Sequence, residues 1–379
     1  MTRDSDDTRP MDKKQFFREH LLAWFAQNHR PLPWKGEKDP YKIWLSEIIL
    51  QQTRVEQGQP YYLRFTTRYP TVHDLAEAPE DEVLKCWEGL GYYSRARNLH
   101  AAAKYIAGEL GGKFPDTFDS IRLLKGVGDY TAAAIASFAF NLPHAVLDGN
   151  VYRVLARFFG IETPSDTPAA KKEFSALAQE LLPTDRAAGF NQAIMDFGAT
   201  QCTPQQPRCT VCPMQANCSG FRTGKVSILP VKSKKPARKE RFFIYLAATF
   251  KGNTYIRKRS GTDIWRNLYE FPLYEADALP PDNHSIVQEA LGYFFPAGLP
   301  AGASVGAVSG PYRQTLTHRL ITAVFCEVHF SDNTPENVFN QFPFDDCIAS
   351  FKTEMKKNIA VPRVIDWYLQ ENVLTLRLI

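Results

Sequence analysis

The sequence predicts a chain in two parts: a mostly α-helical region over residues 11–221 and an α+β domain over residues 241–379, joined by a basic linker at 222–240. Three observations predict it. From residue 11 to about residue 200, apolar residues recur at helical spacing in segments of roughly 10 to 18 residues, divided by Pro- and Gly-bearing turns, with no strand pattern between them. Residues 225–241, KVSILPVKSKKPARKER, hold seven basic residues against one acidic, with two prolines, as an extended charged linker does. Beyond them RFFIYLAATF, NTYIRKR and AVFCEVHF are rich in aromatic and β-branched residues, as strands are.

Taken in order, residues 1–10, MTRDSDDTRP, are polar, lack the apolar core of a signal peptide and read as a disordered tail. Helices are expected over 14–28, 41–57, 80–89, 94–110, 130–140, 151–160 and 169–182. A cysteine loop at 202–218 follows, then the linker and the strand-rich domain. With 379 residues, 44% of them hydrophobic, the chain can bury a large core in two or three domains. The 45 Lys and Arg against 41 Asp and Glu leave a net charge of +4, compatible with nucleic acid without arguing for it. No apolar run is long enough to span a membrane, so no membrane partner and a cytoplasmic location are expected. Seven cysteines in that setting are not expected to form disulfides.

Four of those cysteines cluster. Cys202, Cys209, Cys212 and Cys218 give C-x6-C-x2-C-x5-C within 17 residues. Four thiolates so close suit a tetrahedral metal or a [4Fe–4S] cluster. Structural zinc uses two close pairs on separate turns, whereas here one close pair is flanked by single cysteines with no histidine, which favours the cluster. Cys86, Cys326 and Cys347 stand alone and are expected in the core or at the surface.

Three further stretches carry carboxylates or glycines where chemistry can use them. In WLSEIILQQT, Glu47 has Ile43, Trp44, Leu50 and Gln51 as its helical neighbours. A mainly apolar surround raises a carboxyl pKa and keeps a proton available near neutrality; a buried glutamate satisfied by a local partner is the plainer reading. In LKGVGDYTA, Gly126 and Gly128 allow a tight turn between helices, and the helix beginning near Asp129 points N–H groups outward. A DNA phosphate, directly or through a cation, fits there, although GVG alone is satisfied by an ordinary turn. In LDGNVYRV, Asp148 reads first as a helix N-cap, worth about 1 kcal/mol, and second as a carboxylate held ionised by N–H groups to face a developing cation.

In this order, WLSEIILQQT, GLGYYSRARNL, LKGVGDYTA, LDGNVYRV, NQAIMDFGA and the four cysteines resemble the helix–hairpin–helix base-excision DNA glycosylases, and within them the adenine-specific MutY branch. NLYEFP and TLTH extend the resemblance more weakly toward the C-terminus, so it covers nearly the whole chain. It implies a six-helix barrel beside a helical [4Fe–4S] domain, followed by a Nudix-like α+β domain. The implied reaction is hydrolysis of the N-glycosidic bond of a flipped-out adenine mispaired with 8-oxoguanine or guanine in double-stranded DNA, by a monomeric protein. By the same resemblance Glu47 is the acid, Asp148 steadies the sugar cation, and Tyr130 and Asn150 orient them. Arg30, Trp34 and Leu50 line the base pocket, Gln52 and Tyr92 enter the duplex, and Gly126 and Gly128 form the hairpin.

Two departures qualify the match. Thr317 and His318 stand in Leu316-Thr317-His318, where the family has Phe-Ser-His before 8-oxoguanine, so a hydroxyl and an imidazole are kept and an aromatic is lost. Arg208 is the one basic residue in the cysteine loop. The C-terminal domain lacks the Glu-rich box of a Nudix hydrolase, DNHSIVQEALGYFF having one glutamate, so recognition is expected of it. An endonuclease III-like glycosylase/lyase for oxidised pyrimidines is the alternative. It is disfavoured by Tyr130, which stands where that enzyme has a nucleophilic lysine, and by the C-terminal domain, which that family lacks.

Overall fold

The computed structural model describes residues 12–28, 30–233 and 237–375. The tail expected at 1–10 lies outside the described residues, as do residues 234–236 of the linker. Helices run Lys13–Gln27 (α1), Pro40–Leu50 (α2), Val55–Arg68 (α3), Val72–Glu77 (α4), Glu80–Trp87 (α5), Ser94–Glu109 (α6), Phe118–Arg122 (α7), Asp129–Phe140 (α8), Gly149–Phe159 (α9), Pro168–Leu181 (α10), Ala187–Thr200 (α11) and Ser219–Arg222 (α12). Among the described residues no helix is long and apolar enough to cross a membrane.

The helix expected over 41–57 is two helices. Asp39 caps α2 by accepting from the Tyr41 N–H (2.9 Å), and Pro40 occupies the first turn, where its missing N–H costs nothing. Eight of its eleven residues are buried, including Glu47, so it is enclosed on nearly every side. It stops at Leu50 because the Thr53 N–H turns back to the Leu50 carbonyl (3.1 Å) and Gln52 takes φ +55. No residue type in LQQT announces that break. Helix α3 then returns against α2 through Gly58, where an added Cβ would meet Leu50 Cδ2 at 2.7 Å.

Contacts divide the chain into two compact units. One comprises Met1–Glu77 with Asn98–Lys235; the other comprises Ala78–Arg97 with Pro236–Ile379. In the first, Phe17 and Leu21 of α1, Val154 and Phe158 of α9, Phe174 of α10 and Phe190 and Ile194 of α11 share one core. In the second, β1 (Lys239–Phe250), β2 (Asn253–Lys258), β3 (Tyr269–Glu270), β4 (Leu273–Ala276), β5 (Ala303–Thr315), β6 (Arg319–Phe330) and β7 (Ile348–Phe351) form one sheet. Its order is β3-β2-β1-β6-β5, with β4 on β1 and β7 on β2. Strands β1 and β6 pair in parallel and the other pairs are antiparallel.

The unbroken apolar run of β1 has a simple cause. Phe243, Tyr245 and Ala247 face one core with Val364, Ile365 and Tyr368 of Arg363–Thr375 (α15), and Met355 of Lys352–Asn358 (α14). Ile244, Leu246 and Ala248 face another with Ile286, Ala290 and Phe294 of Asn283–Phe294 (α13). Both faces are covered, so both sets of alternating residues are apolar. Helix α5, which the sequence places within the helical region, is held to the sheet unit by polar contacts. Lys85 Nζ donates to the Lys356 carbonyl (2.8 Å), Glu88 accepts from the Val361 N–H (3.1 Å) and Asp81 pairs with Lys258 (2.5 Å).

Candidate active site

Two carboxyls from different helices share one cavity of the helical unit. Glu47 points from the buried face of α2 and is 7% exposed. Tyr130, in the first turn of α8, donates its hydroxyl to Glu47 Oε2 (2.9 Å). Burial pushes the Glu47 carboxyl up; the Tyr130 hydrogen bond lowers it and the charge of Asp148 raises it, with the outcome at about 7. Asp148 is the N-cap of α9, accepting from the Val151 N–H (2.8 Å) and from Asn150 Nδ2 (2.7 Å). Burial pushes Asp148 up as well, contrary to a carboxylate simply held ionised, while those donors and Arg153 pull it down. Asp148 thus caps α9 and lines the cavity with the same side chain.

The donor count separates the two groups. Asp148 has a backbone N–H, a side-chain amide and a nearby guanidinium on its ionised form, whereas Glu47 has one phenol. When two interacting carboxyls share a site, the less supported one keeps the proton. Glu47 is therefore the group able to donate near neutrality, and Asp148 the one able to carry charge.

Around them the cavity encloses about 360 Å³, and its wall includes Arg30, Trp34, Leu50, Tyr130 and Asn150. Arg30 lies 3.7 Å from Glu56, and the Trp34 ring meets Tyr62 edge-on at 5.4 Å. Helix α11 contributes Gln192, Met195 and Asp196 to the same wall, none of which was singled out from sequence. Asp196 is buried, bonded to Lys35 and accepting from Gln192 Nε2 (3.3 Å). Their only signal was position in NQAIMDFGA, since one polar residue per turn is also what a solvated face shows. A second cavity, sharing Glu47, Leu50, Tyr130 and Asp148, opens past Gln52 and Gly128. Gln52, exposed and in the left-handed region, stands at that mouth.

The hairpin between α7 and α8 has the geometry its glycines imply. Gly126 holds φ +83, and a Cβ there would strike Asn98 Cβ at 2.7 Å. Gly128 is the N-cap of α8 and supplies no side-chain acceptor, so the first-turn N–H groups are left for another partner. Lys125 lies on the exposed side of this turn, apart from the cavity lining, and Tyr130 is the hairpin residue that enters it.

Cys202, Cys209, Cys212 and Cys218 all line one apolar cavity with Val154, Phe158 and Met214. Arg157 Nη1 donates to Cys202 Sγ (3.4 Å). Among the described residues no group of three or more His, Cys, Asp or Glu forms a metal site. Arg153 ties this loop to the carboxyl pair: its Nε donates to the Cys202 carbonyl (2.8 Å) and its Nη2 to Asn150 Oδ1 (2.7 Å).

The remaining candidates lie in the sheet unit and meet there. Thr317 and His318 form the exposed turn between β5 and β6, closed by the Leu316 N–H on the Arg319 carbonyl (2.8 Å). Leu316 packs against the α15-side core, so the residue replacing the aromatic is spent on the domain's own packing. Tyr92 is 47% exposed at φ +47, after Gly89 and Gly91, which also hold positive φ. Its hydroxyl lies 2.5 Å from Thr317 Oγ1.

Comparison with known proteins places the chain among DNA glycosylases. A family model described as HhH-GPD superfamily base excision DNA repair protein matches residues 45–183. An adenine DNA glycosylase of Buchnera aphidicola subsp. Baizongia pistaciae is 36% identical over 260 residues, 68% of this chain and 74% of its own length. That of Mus musculus is 43% identical over 226 residues, 56% of this chain and 44% of its own. Among solved structures, a thermostable thymine-DNA glycosylase superposes with TM-score 0.52 at 32% identity, covering 56% of this chain and 97% of that one. A trapped endonuclease III–DNA covalent intermediate gives TM-score 0.50 at 22% identity over 57% of this chain and 99% of that one, a likeness of fold alone.

Proposed function

The chain belongs to the adenine DNA glycosylases of the HhH-GPD superfamily and removes adenine from DNA in base-excision repair, and we propose that its substrate is adenine mispaired with 8-oxoguanine or guanine. The observation that carries the mechanism is the Glu47–Tyr130–Asp148 arrangement at the junction of two cavities.

The flipped adenine enters the cavity walled by Trp34 and Leu50. Glu47, held near pH 7 by its apolar helix, gives its proton to N7, and the glycosidic electron pair leaves with the base. Positive charge then develops on the sugar. Asp148 faces it, steadied by the Val151 N–H and Asn150, and water completes the hydrolysis. Tyr130 orients Glu47 and offers no amine, which supports a monofunctional glycosylase without Schiff-base chemistry.

The thiols Cys202, Cys209, Cys212 and Cys218 have the donor chemistry of a [4Fe–4S] cluster, and their shared apolar cavity with Arg157 at one sulfur supports it. Such a cluster would cross-link the loop, and Arg153 would pass that order to Asn150. The hairpin N–H groups support a phosphate or cation contact. The sheet unit, two-faced and without a Glu-rich box, is read as a Nudix-like sensor in which Thr317 and His318 meet the opposing base.

The test is a panel of duplexes carrying A opposite 8-oxoguanine, A opposite G, A opposite T, and thymine glycol opposite A, with and without hot alkali. Cleavage of the first two, only after alkali, is expected. Cleavage of thymine glycol without alkali, or borohydride trapping of a stoichiometric covalent complex, would overturn the reading in favour of a bifunctional lyase. Iron and sulfide in equal amounts in the purified protein, with a visible charge-transfer band, test the cluster.

A further inference from the structure

Residues 259–268 join β2 to β3 in the sheet unit, and at each end they grip an element assigned above to DNA contact. At one end Asp263 collects three guanidiniums: Arg319 Nη1 at 2.5 Å, Arg241 Nη1 at 2.6 Å and Arg259 Nη2 at 3.5 Å. Arg319 directly follows His318, so Asp263 holds the foot of the turn that carries Thr317. At the other end Asn267 Nδ2 donates to Glu80 Oε1 (2.5 Å), and Arg97 Nη1 donates to the Arg266 carbonyl (2.8 Å). Glu80 and Arg97 flank the loop that carries Tyr92.

The segment between these grips is not relaxed. Trp265 holds φ +60, a backbone region that a bulky side chain tolerates only when surrounding contacts impose it, and Asn267 follows at φ +64, which asparagine accepts readily. Trp265 is pinned edge-on to Phe243 at 5.8 Å. The two gripped elements meet at the Tyr92 and Thr317 hydroxyls, 2.5 Å apart.

We propose that residues 263–267 are a strap that fixes the spacing of Tyr92 and Thr317, making Asp263 and Asn267 positioning residues for the choice of base opposite adenine. The proposal rests on the reading of Tyr92 and Thr317 as DNA contacts. Its chemical reason is the smallness of the difference to be read: 8-oxoguanine departs from guanine by a carbonyl oxygen at C8 and a hydrogen at N7. A hydroxyl separates the two bases only if it is held within a fraction of an ångström, and a turn free to drift meets both alike.

The experiment measures single-turnover adenine release at saturating protein from A:8-oxoguanine and A:G duplexes, with melting curves to confirm folding. Thr317→Ala should lower the ratio of the two rates, and Asp263→Asn should lower it about tenfold. Asp263→Asn added to Thr317→Ala should lower it no further, because both act through the same hydroxyl. Asp263→Glu, which keeps the charge, should recover part of the ratio. A purely structural role would reduce both rates and the melting temperature together with the ratio intact, and that outcome overturns the proposal, as do additive losses in the double variant. If Asp263→Asn does not fold, Asn267→Ala makes the same test from the other end. If Thr317→Ala leaves the ratio intact, the reading of Thr317 falls and the strap falls with it. If Thr317→Ala lowers the ratio and the strap variants do not, only the strap falls.

Discussion

Glu47 in the helical unit and Asp263 in the sheet unit carry the same functional group in opposite surroundings. Glu47 is buried, shares its cavity wall with Ile43 and Leu50, and receives one phenol hydrogen bond; its carboxyl sits at about 7. Asp263 is also raised by burial, but hydrogen bonds from Arg319, the Ile264 N–H and Arg241 outweigh that and hold it down at about 2. The difference teaches what each site is built to do. A carboxyl starved of donors keeps a proton it can give away. A carboxyl saturated with guanidiniums never releases its charge and acts as a strut.

The contrast breaks most easily at Glu47. Glu47→Gln should reduce adenine release on the order of a hundred- to ten-thousand-fold while duplex binding persists, since the amide keeps the shape and loses the acid. Quenched-flow rates with gel-shift binding check this, and retained activity removes Glu47 from its role. The same variant should be more stable than wild type at pH 8. Burial raises the carboxyl from 4.5 to about 7, so the folded protein keeps a proton the unfolded chain releases. The stabilisation this gives is complete below about 4.5 and is lost as pH rises to about 7, by about 3 kcal/mol. Melting at pH 8 without a gain in the variant would contradict the buried, proton-holding site.

Asp148→Asn comes next, with a loss on the order of a hundred- to a thousand-fold, because the amide has no charge to set against the sugar cation. A kinetic isotope effect at the anomeric carbon distinguishes this from lost binding. Tyr130→Phe should cost about tenfold or less and has a more pointed signature. The phenol lowers the Glu47 pKa, so its removal should move the alkaline limb of the pH–rate profile upward; a downward move would show that Tyr130 supports the protonated form instead.

Asp263→Asn should have the smallest effect on stability. Its folded pKa is depressed, so its contribution is present above about 3.8 and lost as pH falls toward about 2. With the side chain a third exposed, the contribution is about 1 kcal/mol at most. Acid titration of the melting temperature should flatten over that range in the variant. An unchanged acid limb would mean that the three arginines are balanced elsewhere.

Much of the fold was legible where a residue's environment is made by its near neighbours. The period of the helical region, the β-rich character after the linker, the glycine turn at Gly126 and the cap at Asp148 are all local, and the structure keeps them. The end of α2 at Leu50 was not legible, since LQQT continues the helical pattern and the break lies in the conformation of Gln52. Gln192 and Asp196 were missed because a polar residue on a helix gives the same signal whether it faces water or a cavity. The strands β5 and β4 were missed because ASVGAVSGPYRQT is small and polar and LYEA is short.

The sequence by itself determined which groups were available: a glutamate among apolar neighbours on one helix, an aspartate at the head of another, a tyrosine beyond a glycine turn, four cysteines within one loop. Those depend on spacing within one short segment, at most the 17 residues of the cysteine loop, and survive reading in one dimension. Only the tertiary structure decided how they act. Tyr130 reaches Glu47 across 83 positions, and Thr317 reaches Tyr92 across 225. Hydrogen bonds and Coulomb fields act through space rather than along the chain. The proton on Glu47 was therefore fixed by folding, when burial set the cost of its charge and Tyr130, distant in sequence, set how much of it was repaid; Asp148 takes its donors from its own helix start, and folding supplied its burial.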